Sequence, residues 1–179
     1  MKKEIEIPEG IDIDITENDL KAKGGKGEVI KRFYHPKLGI KKTDKKIIIE
    51  TKDEKKKNLA IIGTWTAHIK NMFKGVKEGY EYRMKISHVH FPMNVSVDGD
   101  KLVIKNFLGQ KQDRYAKIIE GVKVKIEGNN VIIKGVDKEK VGQTAGNIEK
   151  STGLSTRRDR RVFSDGIFIT SKDDGDSNG

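Results

Sequence analysis

Apolar and polar positions alternate through most of the chain, in short runs separated by turn-forming residues. Ile5-Glu6-Ile7, Ile11–Thr16, Gly27–Phe33, Ile40–Thr43 and Lys46–Glu50 carry the period of two expected of half-buried strands. Glu9-Gly10, Asn18-Asp19 and Thr43-Asp44 punctuate them. From Glu54 to Lys74 the period changes. Leu59, Ile62, Thr66, Ile69 and Phe73 recur every three or four residues, which places an apolar stripe on one face of a helix, with Gly75 as its stop. Alternation resumes in Tyr80–Val89, where Tyr80, Tyr82, Met84, Ile86 and His88 share one side. Further strands are expected at Met93–Val97, Leu102–Asn106, Tyr115–Ile118, Val122–Glu127 and Val131–Lys134. A helix follows from Lys138 to Ser151 with Val141, Ala145 and Ile148 inward, ended by Gly153, and Ile167-Phe168-Ile169 forms a last strand.

The two stretches repeat one another. Ile11, Ile13 and Ile15 match Met93, Val95 and Val97 at an offset of 82, and Leu20 matches Leu102 at the same offset. Gly39-Ile40 pairs with Gly121-Val122, again at 82, whereas Ile47-Ile48-Ile49 meets Val131-Ile132-Ile133 at 84. Strands followed by a helix, twice over, describe an α+β protein of two tandem duplicated units, each a small antiparallel sheet packed against one helix. The expected boundaries are 1–79 for the first unit and 80–172 for the second, with residues 173–179 as an acidic disordered tail.

Composition agrees with two small cores. Of the 179 residues only 34% are hydrophobic and 36% are charged, too polar a stock for one large interior. Lys and Arg total 37 against 27 acidic residues, a net charge of +10. The excess falls on both halves: residues 1–80 hold 19 basic and 13 acidic side chains, and residues 81–179 hold 18 and 14. Such a balance points to a polyanionic partner, nucleic acid first, although a Lys-rich protein from a hot habitat would also be basic. There is no cysteine, so disulfides and thiolate metal sites are excluded. No apolar run is long enough to span a bilayer and the N-terminus lacks a signal-like stretch, so the chain reads as soluble and intracellular.

Three basic segments are candidates for RNA contact. Arg157, Arg158, Arg160 and Arg161 place four guanidiniums within five residues, suited to bidentate pairing with successive phosphates. An isolated run of this kind serves equally well as a solvated loop. Val162-Phe163 as an anchor and Asp165-Gly166 as a turn favour a tethered, contacting loop. In Asn106-Phe107-Leu108-Gly109-Gln110-Lys111, Gly109 permits close backbone approach while Asn106, Gln110 and Lys111 offer polar groups to phosphate or sugar. An ordinary hairpin tip with Phe107 and Leu108 turned inward is the plainer reading. Lys23-Gly24-Gly25-Lys26-Gly27 occupies the equivalent place in the first unit; it lacks the spacing of a nucleotide-binding loop, and Lys23 and Lys26 then belong to a basic hairpin tip.

Enzymatic readings find little support. His88 and His90 stand two apart on one strand face, but His35 and His68 are remote in sequence, and packed or RNA-facing histidines are the better account. No serine lies in a G-x-S-x-G setting and no carboxylate pair stands out, so no catalytic residue, metal, cofactor or small-molecule substrate is expected.

The segments Asn106-Phe107-Leu108-Gly109, Val141–Glu149 and Arg160–Ile167, with Pro8-Glu9-Gly10 near the start, resemble the family of ribosomal protein six of the large subunit in its archaeal and eukaryotic form. The resemblance runs from about Ile5 to Thr170. It implies a duplicated α+β fold without catalytic residues, in the cytoplasmic ribosome. It also implies binding of large-subunit rRNA, mainly by the C-terminal unit, near the sarcin–ricin loop and the docking region of translational GTPases, with ribosomal proteins as neighbours. The family's bacterial C-terminal RNA-binding signature falls on Thr156–Gly166, where this chain substitutes arginines for a Pro/Tyr/Lys/Gly-rich run. The rivals are a stand-alone basic RNA-binding module or chaperone and an RNA-modifying enzyme.

Overall fold

A computed structural model describes residues 2–51, 53, 55–154 and 164–173. The chain forms two compact units, Met1–Gly79 and Tyr80–Gly179. The first contains β1 (Lys2–Glu6), β2 (Asp12–Thr16), β3 (Asp19–Gly24), β4 (Gly27–Arg32), β5 (Leu38–Thr43), β6 (Lys46–Thr51) and α1 (Lys56–Lys77). The second contains β7 (Tyr80–Ser87), β8 (Asn94–Asp98), β9 (Lys101–Lys105), a tight turn at Phe107–Gly109, β10 (Arg114–Lys117), β11 (Val122–Glu127), β12 (Asn130–Gly135), α2 (Lys138–Ser151) and β13 (Gly166–Asp173). The fold is α+β and duplicated, and each unit carries its strands as two antiparallel sheets: β1-β6-β5 with β2-β3-β4, and β11-β12-β7-β13 with β10-β9-β8.

Alternation in the strands decides which face is buried. In β6, Ile47 and Ile49 are fully enclosed, and in β7 Tyr80, Tyr82, Met84 and Ile86 all point inward, while His88 falls beyond the strand and is exposed. Helix α1 covers its unit with Ile62, Trp65, Ile69, Met72, Phe73 and Val76, and the Trp65 ring meets Phe33 edge to face at 5.5 Å. Helix α2 buries Val141, Ala145 and Ile148 completely. Its start is capped by Asp137, whose Oδ1 accepts from the Glu139 amide at 2.9 Å.

Four details depart from the pattern of the sequence. Strand β3 is absent from the expected set: only Leu20 and Ala22 mark its inner face, and lysines and glycine dilute the signal. Gly75 does not stop α1; it is a buried helical residue, and the chain turns at Gly79 with φ +82°. Ile49 faces Ile40 across the first sheet and Ile133 faces Val124 across the second, so Ile40 corresponds to Val124, not Val122. The shared Gly-Ile and Gly-Val dipeptides misplace that match. The second copy gains its residues upstream, where β9 and β10 are joined through residues 106–113 while β3 and β4 close tightly at Gly24–Gly27. Finally, Asp173 belongs to β13, paired with Glu81, and residues 174–179 lie outside the described residues.

The tight hairpin of the first unit sits on the end of its helix. The Lys26 amide donates to the Val76 carbonyl at 2.9 Å, and a Cβ on Gly24 would stand 2.6 Å from that carbonyl oxygen. Because the obstacle is backbone, Gly24→Ala is expected to destabilise this unit by about 1–3 kcal/mol. Gly25, where a Cβ would meet nothing within 4 Å, serves as the near-neutral control. Trp65, the chain's single tryptophan, reports the unfolding of this unit by fluorescence in urea.

Candidate nucleic-acid interface

Three parts of the second unit converge at one end of it: residues 88–93 between β7 and β8, residues 106–113 between β9 and β10, and the described ends of the α2–β13 connection, residues 152–154 and 164–165. Hydrogen bonds tie them together. Asp165, 2% exposed, accepts from the amides of Val89 (3.2 Å) and His90 (3.3 Å) through Oδ2, while Oδ1 lies 3.0 Å from His90 Nδ1. Burial alone would push this carboxyl up. The hydrogen bonds from the His90 ring and from the His90 and Val89 amides outweigh it, and hold Asp165 below its ordinary value. The anionic form is therefore the one the fold stabilises.

The second tie joins residues 88–93 to the 106–113 connection. Asn106 and Leu108 adopt left-handed backbone (φ +57° and +53°), as does Gly109 at φ +71°. This sequence of turns drives Phe107 and Leu108 into the core and leaves the Asn106 side-chain amide to donate to the Pro92 carbonyl at 2.8 Å. Asparagine tolerates this conformation better than most residues, which accounts for its place here. Gly109 is pressed against Phe91; a Cβ there would lie 3.2 Å from the ring.

The third tie is Arg114, a residue that no motif in the sequence marks. Its Nη1 donates to the Ser151 carbonyl at 2.9 Å and to the Gly153 carbonyl at 3.2 Å, at the C-terminal end of α2. Its Nε and Nη2 donate to Gln110 Oε1 at 3.3 and 3.2 Å, and the guanidinium carbon lies 4.3 Å from the centre of the Phe107 ring. One cation thus satisfies carbonyls at the negative end of a helix, stacks on a core aromatic and holds the connection. Nearby, the Thr152 hydroxyl accepts from the Ile167 amide at 3.0 Å, tying the exit of α2 to the start of β13.

The candidate residues now have places. Gln110 and Asn106 spend polar atoms on these internal bonds, while Lys111 is exposed one residue further along. Lys23 and Lys26 are exposed at the hairpin of the first unit. Arg157, Arg158, Arg160 and Arg161, with the Val162-Phe163 anchor, lie outside the described residues, between Leu154 and Ser164. Asp165 is a buried clamp rather than the turn expected of it, and Gly166 already belongs to β13. No basic run points to Arg114 or Asp165, since each is a single residue whose backbone partners lie 37 to 76 positions away. Among the described residues no three metal-capable side chains gather, and no helix is long and apolar enough to cross a membrane.

A family model described as Ribosomal protein L6 matches residues 7–79 and 91–166, one stretch in each unit. The chain belongs to the ribosomal protein L6 family. Its relatives include the Large ribosomal subunit protein uL6 of Methanobrevibacter smithii, 45% identical over 173 residues and 97% of each chain. That of Methanosarcina mazei is 44% identical over 168 residues, 94% of this chain and 95% of its own. That of Methanocella arvoryzae is 45% identical over 171 residues, 95% of this chain and 96% of its own. The second matched stretch takes in all of the Arg114 and Asn106 bonds described above and the carboxylate of Asp165.

Within the L6 chain, Arg114→Ala is expected to lower the stability of the second unit by about 2–3 kcal/mol, through loss of charged hydrogen bonds and of the stacking on Phe107. Arg114→Lys should recover less than half, because one ammonium cannot serve Ser151, Gly153 and Gln110 in a fork. Thermal melting of the two variants followed by circular dichroism measures both.

Proposed function

We propose that this L6-family protein is a structural constituent of the large subunit of the cytoplasmic ribosome and holds large-subunit rRNA mainly through its second unit. The finer reading places that contact near the sarcin–ricin loop, beside the region where translational GTPases dock, with other ribosomal proteins as neighbours. It acts without a catalytic residue, cofactor or small-molecule substrate. The observation that carries the reading is the gathering of three connections at one end of the second unit, one of them leading into four arginines.

Residues 88–93 and the 106–113 connection are pinned by bonds to their neighbours, so Lys111 can meet a phosphate with little binding energy lost to ordering its connection. The exposed lysines of the first unit's hairpin, Lys23 and Lys26, add a second point of attachment on a separate body. Two attachments on two units would fix two RNA segments relative to each other, which is what a structural ribosomal protein does.

Sedimentation tests the reading. The native protein should travel with the large subunit through a sucrose gradient and leave it only at high salt. Recovery at the top of the gradient in moderate salt would instead favour a free RNA-binding module. For the finer placement, hydroxyl-radical probing from a tether at Lys111 should cleave rRNA around the sarcin–ricin loop; cleavage confined to other helices would refute it.

A further inference from the structure

The exposed apolar side chains of the second unit include two from one short connection, Val89 at 65% and Phe91 at 46% exposed. Solvent-facing aromatics are common enough singly, but this one is immobilised. Asp165 holds the two residues before it, Asn106 holds the carbonyl of Pro92 after it, and the glycine surface of residue 109 backs the ring itself. A chain segment fastened at three points to display a half-exposed aromatic ring is a built feature, and what it is built for depends on its surroundings. Those surroundings are cationic and polar: exposed Lys111 follows two residues after the glycine that backs the ring, and Asn106 and Gln110 stand in the same connection.

We propose that Phe91 is a stacking platform for an unpaired nucleobase of the bound RNA, working beside the cations that take the phosphates. This rests on the rRNA-binding reading above and adds the part of the RNA that is recognised. A phosphate has no use for a phenyl ring, and a base-paired helix buries its faces. A splayed-out base has an open π-face and gains most from a flat, rigid aromatic partner. Phe91 carries no hydrogen-bonding group, so the site selects an unstacked base without choosing its identity. Gly109 is then required for two reasons at once: its left-handed backbone closes the turn, and the missing Cβ leaves room for the ring, which stays half exposed.

The test compares the full-length native chain with Phe91→Leu and Phe91→Tyr, titrated onto deproteinised archaeal large-subunit rRNA at several salt concentrations. Leucine keeps apolar bulk against Gly109 but has no π-face; tyrosine keeps the ring. The expected result is a loss of about tenfold in affinity for leucine with an unchanged slope against salt, and native affinity for tyrosine. Equal thermal midpoints for the three proteins would attribute the loss to the RNA contact. Native binding by Phe91→Leu overturns the stacking platform and leaves rRNA binding standing. Equal weakening in leucine and tyrosine overturns it too, since the ring would then matter only for packing. Failure of the native chain to bind the rRNA at low salt overturns both readings together. An effect of Phe91→Leu seen on assembled subunits but absent on bare rRNA assigns the ring to a protein neighbour and refutes the base contact.

Discussion

Replacing Arg157, Arg158, Arg160 and Arg161 together with alanine is expected to flatten the salt dependence of rRNA binding more than any other change. Each phosphate neutralised contributes about 0.7 to 0.9 to the slope of log affinity against log salt. Removing four such cations should therefore lower that slope by about 3, and between 50 and 200 mM salt the native protein should lose roughly a hundredfold more affinity than the variant. Arg→Lys at the same four positions keeps the charge but gives up the planar fork, so it should preserve the slope while weakening binding at every salt concentration. Filter binding over a salt series separates the two. An unchanged slope in the alanine variant would remove the segment from the interface, and the second unit's hold on RNA would have to be sought in Lys111 and its neighbours.

Asp165→Ala carries the second large effect, and here it is stability that moves first. The carboxylate is buried and accepts three hydrogen bonds from Val89 and His90, so its removal should destabilise the second unit by about 3 kcal/mol. For a unit of this size that lowers the melting temperature by roughly 15 °C. Loss of the clamp also releases residues 88–93, so at temperatures where the variant is still folded rRNA affinity should fall as well. The pH dependence has a definite sign. Because the folded-state value of Asp165 is depressed, its contribution is complete above the usual carboxylate range and disappears as pH falls through the depressed value. Native and Asp165→Asn proteins should accordingly differ most in stability at neutral pH and converge in acid, which a series of urea titrations between pH 7 and pH 2 would show.

Much of this architecture is legible in the amino-acid order because alternation and helical periodicity act locally. Strand β11 and helix α2 fall where the pattern puts them, since Val122–Glu127 alternates without interruption and α2 has a capping aspartate before it and a glycine after it. Strand β3 escapes notice because a strand seated under a helix can use Leu and Ala inside and lysines outside, a composition that reads as a loop. The end of α1 misleads for a related reason: Gly75 is small because it is buried, and burial is a tertiary property. The end of the second unit proposed to meet RNA divides in the same way. A cluster such as Arg157–Arg161 announces itself in one window of sequence. Arg114 and Asp165 do not, because their importance lies in backbone groups brought to them by pairing across the sheets. Phe91 is likewise silent, since nothing in its neighbourhood reveals that a distant glycine supports its ring.

The two copies solve one problem, the open carbonyls at the end of a helix, by different means. In the first, a main-chain amide at the hairpin tip reaches Val76, so the hairpin can neither lengthen nor slip without abandoning its task. In the second, a side chain reaches Ser151 and Gly153 from the base of the connection. With that duty on Arg114, the tip of the second copy has no fixed length to keep, and its longer connection includes Gly109, which lies against Phe91. Met by the main chain, the requirement sets the loop's length in one copy; met by a side chain, it leaves the loop of the other open to new surface.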